Sequence, residues 1–176
     1  MSHSVAAAKA RYLQCQHEAF RSCERDLAKS IGYFFTLSEI SQRALLAVQT
    51  HWEPSGRPAE TSWDWKRVLQ RYRNELDRFE LAIWEGDRLC ALGLATTGGN
   101  AVALRFLEGD PRGDCPLKGR RILIALDACA RYAQRRGKAE LRVQPINSAL
   151  ESLYVGTYGF RKRSPKGEQP YFCRQV

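Results

Sequence analysis

At Phe79 the apolar pattern of this chain changes period. Through "RFELAIWEGDRLCALGLATTGGNAVALRFLEG", residues 78–109, apolar positions recur in three runs broken by "EGD" and "TTGGN". Side chains of a strand alternate between two faces, and Gly-Asp and Gly-Asn clusters supply the positive backbone angles of tight hairpins. The segment therefore predicts a three-stranded antiparallel meander. A loop, "DPRGDCPLKGRR", follows. Then comes a helix, "ILIALDACARYAQRR", with Ile122, Leu126, Cys129 and Ala133 on one stripe and Gly137 as its stop. "AELRVQPI" predicts a strand, "NSALESLYVGTYGF" a helix from Asn147 to Gly159, and "PYFCRQV" a last strand.

Upstream of the change the spacing is helical. "VAAAKARYLQCQHEAFRSCERDLAKSI" carries Ala8, Tyr12, Cys15, Ala19 and Cys23 at helical intervals. "TLSE" at 36–39 reads as a capping box, Thr36 with Glu39, opening a second helix that runs to about His51. "EPSGRPAETS" is a loop, and Ser62 is placed to cap a third helix, "WDWKRVLQRYRNEL", whose Trp63 and Trp65 pack inward. No strand is evident in this part unless "GYFFTL" at 32–37 supplies a short one. The predicted order is three helices followed by β-β-β-α-β-α-β.

A chain of 176 residues fits one domain, with residues 1–78 as a helical part and 79–176 as a core. Apolar content of 44% with 27% charged residues is globular. No apolar run approaches the roughly 18 residues of a membrane span, and the N-terminus lacks a basic start before an apolar stretch, so the expectation is a cytoplasmic protein without a membrane partner. Six cysteines at irregular spacing read as reduced thiols. Cys15, His17 and Cys23 are the nearest approach to a metal cluster, but on one helix His17 points away from the other two, so no metal is expected.

The formal charge of +9 is uneven: residues 1–88 hold 13 basic against 12 acidic side chains, and residues 89–176 hold 15 against 7. The second half calls for an anion, either a phosphorylated cosubstrate or nucleic acid, and nothing beyond charge supports nucleic acid.

The element order from Phe79, the basic Gly-containing loop before a long helix, and Asn147 followed by Leu153-Tyr154 and Gly159-Phe160 together resemble the GCN5-related N-acetyltransferase (GNAT) superfamily over residues 79–176. The resemblance implies an α/β (α+β) fold, a mixed and mostly antiparallel sheet flanked by helices, with residues 1–78 forming the acceptor wall. It implies transfer of acetyl, or another acyl group, from acetyl-CoA to the primary amine of a small molecule or peptide, by direct attack in a ternary complex. A homodimer is compatible with it. The same resemblance leaves open a catalytically inactive binding module and a basic enzyme acting on an RNA-linked substrate such as aminoacyl-tRNA.

Site residues come from the resemblance. CoA pyrophosphate belongs on the backbone amides of the loop that opens the long helix, so Leu107, Lys118, Gly119, Arg120, Arg121, Ile122 and Asn147 are the implied cosubstrate-binding residues. The family places a second small residue where "PLKGRRIL" has Arg121. Either Lys118, Arg120 and Arg121 reach the phosphates directly or they are solvated charges at a helix start. Glu108 ends "AVALRFLE" in register with Val102, Leu104 and Phe106. It is either a buried carboxylate that takes the amine proton or a solvent-facing charge where the strand frays. Tyr154 matches the tyrosine that the family aims at the CoA sulfur, with a core aromatic as the alternative, and Tyr158 packs near Phe160. Asn147 orients CoA or simply caps its helix. Asp64, Glu75 and Asp77 either attract a cationic amine or form a solvated face.

Overall fold

A computed structural model describes residues 3–176. Seven strands form one sheet in the order β1-β2-β3-β4-β5-β7-β6. They are β1 Thr36–Ser38, β2 Phe79–Glu85, β3 Arg88–Gly98, β4 Ala101–Gly109, β5 Glu140–Val143, β6 Arg161–Arg163 and β7 Tyr171–Gln175. Only β4 and β5 run parallel; every other pair is antiparallel. The helices are α1 His3–Ile31, α2 Gln42–Ala47 with a π turn and a 3-10 turn after it, α3 Trp65–Arg71, α4 Arg121–Arg135 and α5 Ser148–Gly156.

Alternation along the meander sorts the core into two layers. Phe79, Leu81 and Ile83 face α1 and α4, where Phe79 stacks on Tyr132 at 4.6 Å and meets Phe20 at 5.4 Å. Ala82 and Trp84 face the other way, toward α2 and α3, with Trp52 and Trp65. α1 lies antiparallel on α4: Cys15 sits at the Arg135 carbonyl, Cys23 at that of Ile124, and Asp26 pairs with Arg131 at 2.8 Å. This brings the end of α1 beside the start of α4, where Arg120 stacks over Tyr33 at 3.9 Å.

Several local expectations change. Thr36 does not open a capping box; Thr36–Ser38 pair with Trp84, Ile83 and Ala82 as the missing first strand, and Ser41 caps α2 instead. The cap of α3 is Asp64, which accepts from the Arg67 amide at 3.0 Å, not Ser62, and the helix stops at Arg71. α5 ends at Gly156 rather than Gly159, and Arg161–Arg163 add a short strand that the charged sequence hides. All six cysteines are free thiols. Among the described residues no helix is long and apolar enough to cross a membrane, and no cluster of His, Cys, Asp and Glu is arranged to hold a metal ion.

Candidate functional site

The site grows from an irregularity in β4. Opposite β3, Phe106 pairs with Leu94 and Leu104 with Ala95, so Arg105 is one residue too many on its strand. A bulge bends its strand and reverses the facing of the residues beyond it. Val102 and Leu104 pack in the α1–α4 layer, whereas Phe106 and Glu108 lie in the α2–α3 layer. The strict alternation expected from Val102 to Glu108 is broken at this point. A sequence signal existed: Phe106-Leu107 are consecutive apolar residues after an arginine.

The parallel ladder with β5 ends just before the bulge, at Leu104 and Val143. Beyond it β4 is paired on its β3 side alone, and the two strands part. The opening, about 70 Å³, is lined by Phe106 and Leu107 from β4, Pro145 and Ile146 beyond β5, Trp63 from the preceding loop, and Tyr154 from α5. A second, larger groove of about 470 Å³ shares Leu104, Arg105, Val143 and Gln144 with it and runs over the uncovered face of the sheet toward Tyr72, Glu75, Glu168 and Tyr171.

Tyr154 is aimed by α5. Asn147 caps the helix, its side chain accepting from the Leu150 amide at 2.9 Å, so the local role weighed for it is real. Phe160 meets the Tyr154 ring edge-on at 5.5 Å, and Tyr158 flanks it at 6.3 Å. The ring is buried, yet among the described residues its hydroxyl has no hydrogen-bond partner. Burial, reinforced by Tyr158, pushes its pKa up to about 12, so near neutral pH it is a neutral donor.

Glu108 is buried at 3% exposure but is not free. It accepts from Arg57 Nε and Nη2 at 2.7 and 2.8 Å, from the Trp65 indole at 2.8 Å and from the Trp63 amide at 3.1 Å. Four hydrogen bonds fall on its two oxygens and β4 runs on to Gly109, so the alternative of a solvent-facing charge on a fraying strand does not hold. The pair fastens the 57–65 loop to β4, and Arg57 carried no sequence pattern that announced it. Trp65 is buried as expected, while the Trp63 indole packs edge-on against Phe106 at 4.9 Å with its Nε1 unpartnered.

Past β4, the loop to α4 is built on Asp110. Its carboxylate takes bonds from Arg88 and Arg112, and Arg88 also reaches Asp114. Burial alone would raise the Asp110 pKa, but the bonds from Arg112 and Arg88 outweigh it and hold the group below the usual carboxylate range. Arg121 turns inward: its Nη1 donates to the Asp110 carbonyl at 2.7 Å, and its guanidinium lies against Gly109, where an added Cβ would come within 2.4 Å. The Arg121 side chain braces the loop from within, neither solvated nor, in this arrangement, directed outward from the helix start. Beneath the loop, the neighbouring Cys90 thiol holds the Cys115 pKa below the ordinary thiol value.

The start of α4 is left open. Gly119 turns the chain at φ 83°, Arg120 donates back to Leu117, and the first intrahelical bond is Ile124 to Arg120. The amides of Arg121, Ile122 and Leu123 have no partner among the described residues, and no side chain caps them. Such an end carries a partial positive charge and attracts anions. Lys118 is exposed there and Arg120 is half-buried on Tyr33, while Ile122 and Leu107 pack into the core rim. Asp64 is spent as a cap and Asp77 pairs with Arg136 at 3.4 Å; Glu75 alone of the three weighed acids lines the larger groove.

Solved structures of the same architecture include PaiA N-acetyltransferase from Thermoplasma acidophilum in complex with coenzyme A. It matches with 17% identity and a TM-score of 0.55, over 81% of this chain and 99% of that one. The GNAT domain of S. lividans PAT matches with 11% identity and a TM-score of 0.58, over 81% and 90%. This chain has the GNAT fold. YncA from Salmonella typhimurium, solved with acetyl-CoA, matches at 16% identity and a TM-score of 0.52, over 80% and 93%. No family model and no curated protein matches the chain by sequence. About a fifth of the chain lies outside these GNAT-fold matches.

Proposed function

We propose that the chain is an acyl-CoA-dependent N-acyltransferase that moves acetyl from acetyl-CoA to an amine by direct attack within a ternary complex. The observation that carries the reading is the unpartnered hydroxyl of Tyr154 beside the opening where β4 leaves β5. The amides of a pantetheine arm suit the unpaired edge of β4 beyond Leu104, because a strand edge lacking a neighbour offers both donors and acceptors. The pyrophosphate suits the uncapped amides of Arg121, Ile122 and Leu123, with Lys118 and Arg120 supplying charge. In this reading Arg121 substitutes for the small residue of the family without closing the site, because its side chain leaves the loop on the inner side.

Chemistry then asks for two protons to move. As the amine nitrogen bonds to the acyl carbon and the C–S bond breaks, the sulfur gains negative charge, and Tyr154, neutral near pH 7, donates to it. The amine's proton leaves to water in the larger groove, since Glu108 is occupied by Arg57. The GNAT-fold neighbours solved with coenzyme A and acetyl-CoA support the choice of cosubstrate. Titration calorimetry with acetyl-CoA tests the reading: saturable binding is expected, together with a raised melting temperature, and no heat and no thermal shift would overturn it.

A further inference from the structure

Arg105 stands at the junction of the two cavities. As the bulged residue of β4 it lines both, and its guanidinium crosses from β4 to the end of β5, with Nε donating to Thr96 Oγ1 at 3.0 Å and Nη1 to Gln144 Oε1 at 3.4 Å. Both partners are neutral. The other arginine of the groove, Arg142, is paired with Glu140 at 2.9 Å and stacked on Tyr171, so its charge is answered within the protein. Among the described residues Arg105 has no carboxylate in ion-pair range. An exposed guanidinium steadied by two neutral partners at the edge of a 470 Å³ groove is a fork for a planar anion.

The placement limits what that anion belongs to. Arg105 adjoins the opening where acyl transfer is assigned, so a ligand held by it keeps only atoms close to its anionic group near the Tyr154 side. In an α-amino acid the nitrogen is two bonds from the carboxylate carbon, which lets the carboxylate rest on Arg105 while the nitrogen enters the opening. The side chain then lies over Ala101 and Ala103, small residues that leave the groove floor low. Glu75 and Glu168, farther along the groove, complement the ammonium form of an arriving zwitterion. A peptide N-terminus has a neutral carbonyl at the same distance and offers Arg105 no charge.

We propose that the acceptor is a free α-amino acid and that Arg105 binds its carboxylate. This rests on the acyltransferase reading. The step balances as N–C bond formation and C–S bond cleavage, the nitrogen losing a proton to water and the departing sulfur gaining one.

The test uses the full chain, acetyl-CoA, and a panel of L-amino acids offered both as free acids and as their carboxamides, with release of the CoA thiol as the readout. At least one free acid should exceed its carboxamide by tenfold or more in kcat/KM. In an Arg105→Ala protein whose melting temperature matches the parent, that advantage should disappear through a raised KM for the acid, and Arg105→Lys should restore part of it. The wild-type comparison needs no variant: carboxamides equal to or better than the acids overturn the proposal, as does an Arg105→Ala protein that keeps the preference. If calorimetry shows acetyl-CoA binding while no member of the panel is acetylated, this proposal falls and the acyl-CoA reading stands. If acetyl-CoA itself does not bind, both fall.

Discussion

Arg57 and Glu108, 51 positions apart in the chain, meet in a two-bond ion pair of 2.7 and 2.8 Å that also gathers the Trp65 indole and the backbone of Trp63. The Arg57 side chain is 14% exposed and that of Glu108 3%, so little water screens them. A buried pair of this kind costs desolvation when formed, and breaking it by removing one charge strands the other.

Glu108→Gln should therefore behave as a folding variant. It keeps the shape but leaves the Arg57 guanidinium only the longer, half-exposed contact with Glu53 at 3.8 Å as a counter-charge, and a loss of about 3 kcal/mol in urea denaturation is expected. Unchanged stability with a turnover reduced a hundredfold would instead return Glu108 to the role of proton acceptor.

Gly109 and Arg121 are predicted to be energetically coupled. In Gly109→Ala the new Cβ meets the Arg121 guanidinium, the mobile end of a long side chain, which can yield only by releasing the Asp110 carbonyl. The cost should be about 1–3 kcal/mol, that of an abandoned charge-assisted bond. In an Arg121→Ala background the same change should cost almost nothing. Additive effects in this double-mutant cycle would refute the strut.

Lys118→Ala with Arg120→Ala should weaken acetyl-CoA binding by about 2 kcal/mol in calorimetry, because both charges stand at the open start of α4. The salt dependence of binding should fall with them. Affinity equal to the parent would mark both as solvated surface.

Tyr154→Phe deletes a hydroxyl that has no partner in the protein, so near neutral pH stability should stay within about 1 kcal/mol of the parent while turnover at saturating substrate falls. Tyr158→Phe should leave turnover alone. Equal rates in the two variants would remove Tyr154 from the chemistry.

The same tyrosine gives a pH dependence with a definite sign. Its folded pKa of about 12 exceeds the ordinary tyrosine value of 10, so between them the unfolded chain holds fewer protons than the folded one. Stability from this source is complete below pH 10 and is lost as pH rises toward 12, by roughly 2–3 kcal/mol over the window. Denaturant midpoints across that range should fall less steeply in Tyr154→Phe than in the parent.

Local patterns settled much of this protein. Alternation and turn chemistry from Phe79 to Gly109 specified the meander, the stripe through Ile122 and Cys129 specified α4, and Asn147 with Leu153-Tyr154 marked α5, because each of these signals is written within a few residues. The loop that opens α4 was marked by its resemblance to the family's pyrophosphate loop around Gly119, although its uncapped amides became visible only in the structure. Tertiary structure decided the rest. Thr36–Ser38 are a strand only because β2 offers an edge, and three residues are too few to show a period. Whether Glu108 is buried or solvent-facing, and whether the Arg121 side chain points outward or into the loop, depended on partners contributed by distant segments, Arg57 in one case and the carbonyls of Cys90 and Asp110 in the other. Side-chain type fixes which bonds a group can make; only the folded chain fixes which partner comes within about 3 Å, and for Glu108 and Arg121 that partner decided where the side chain lies.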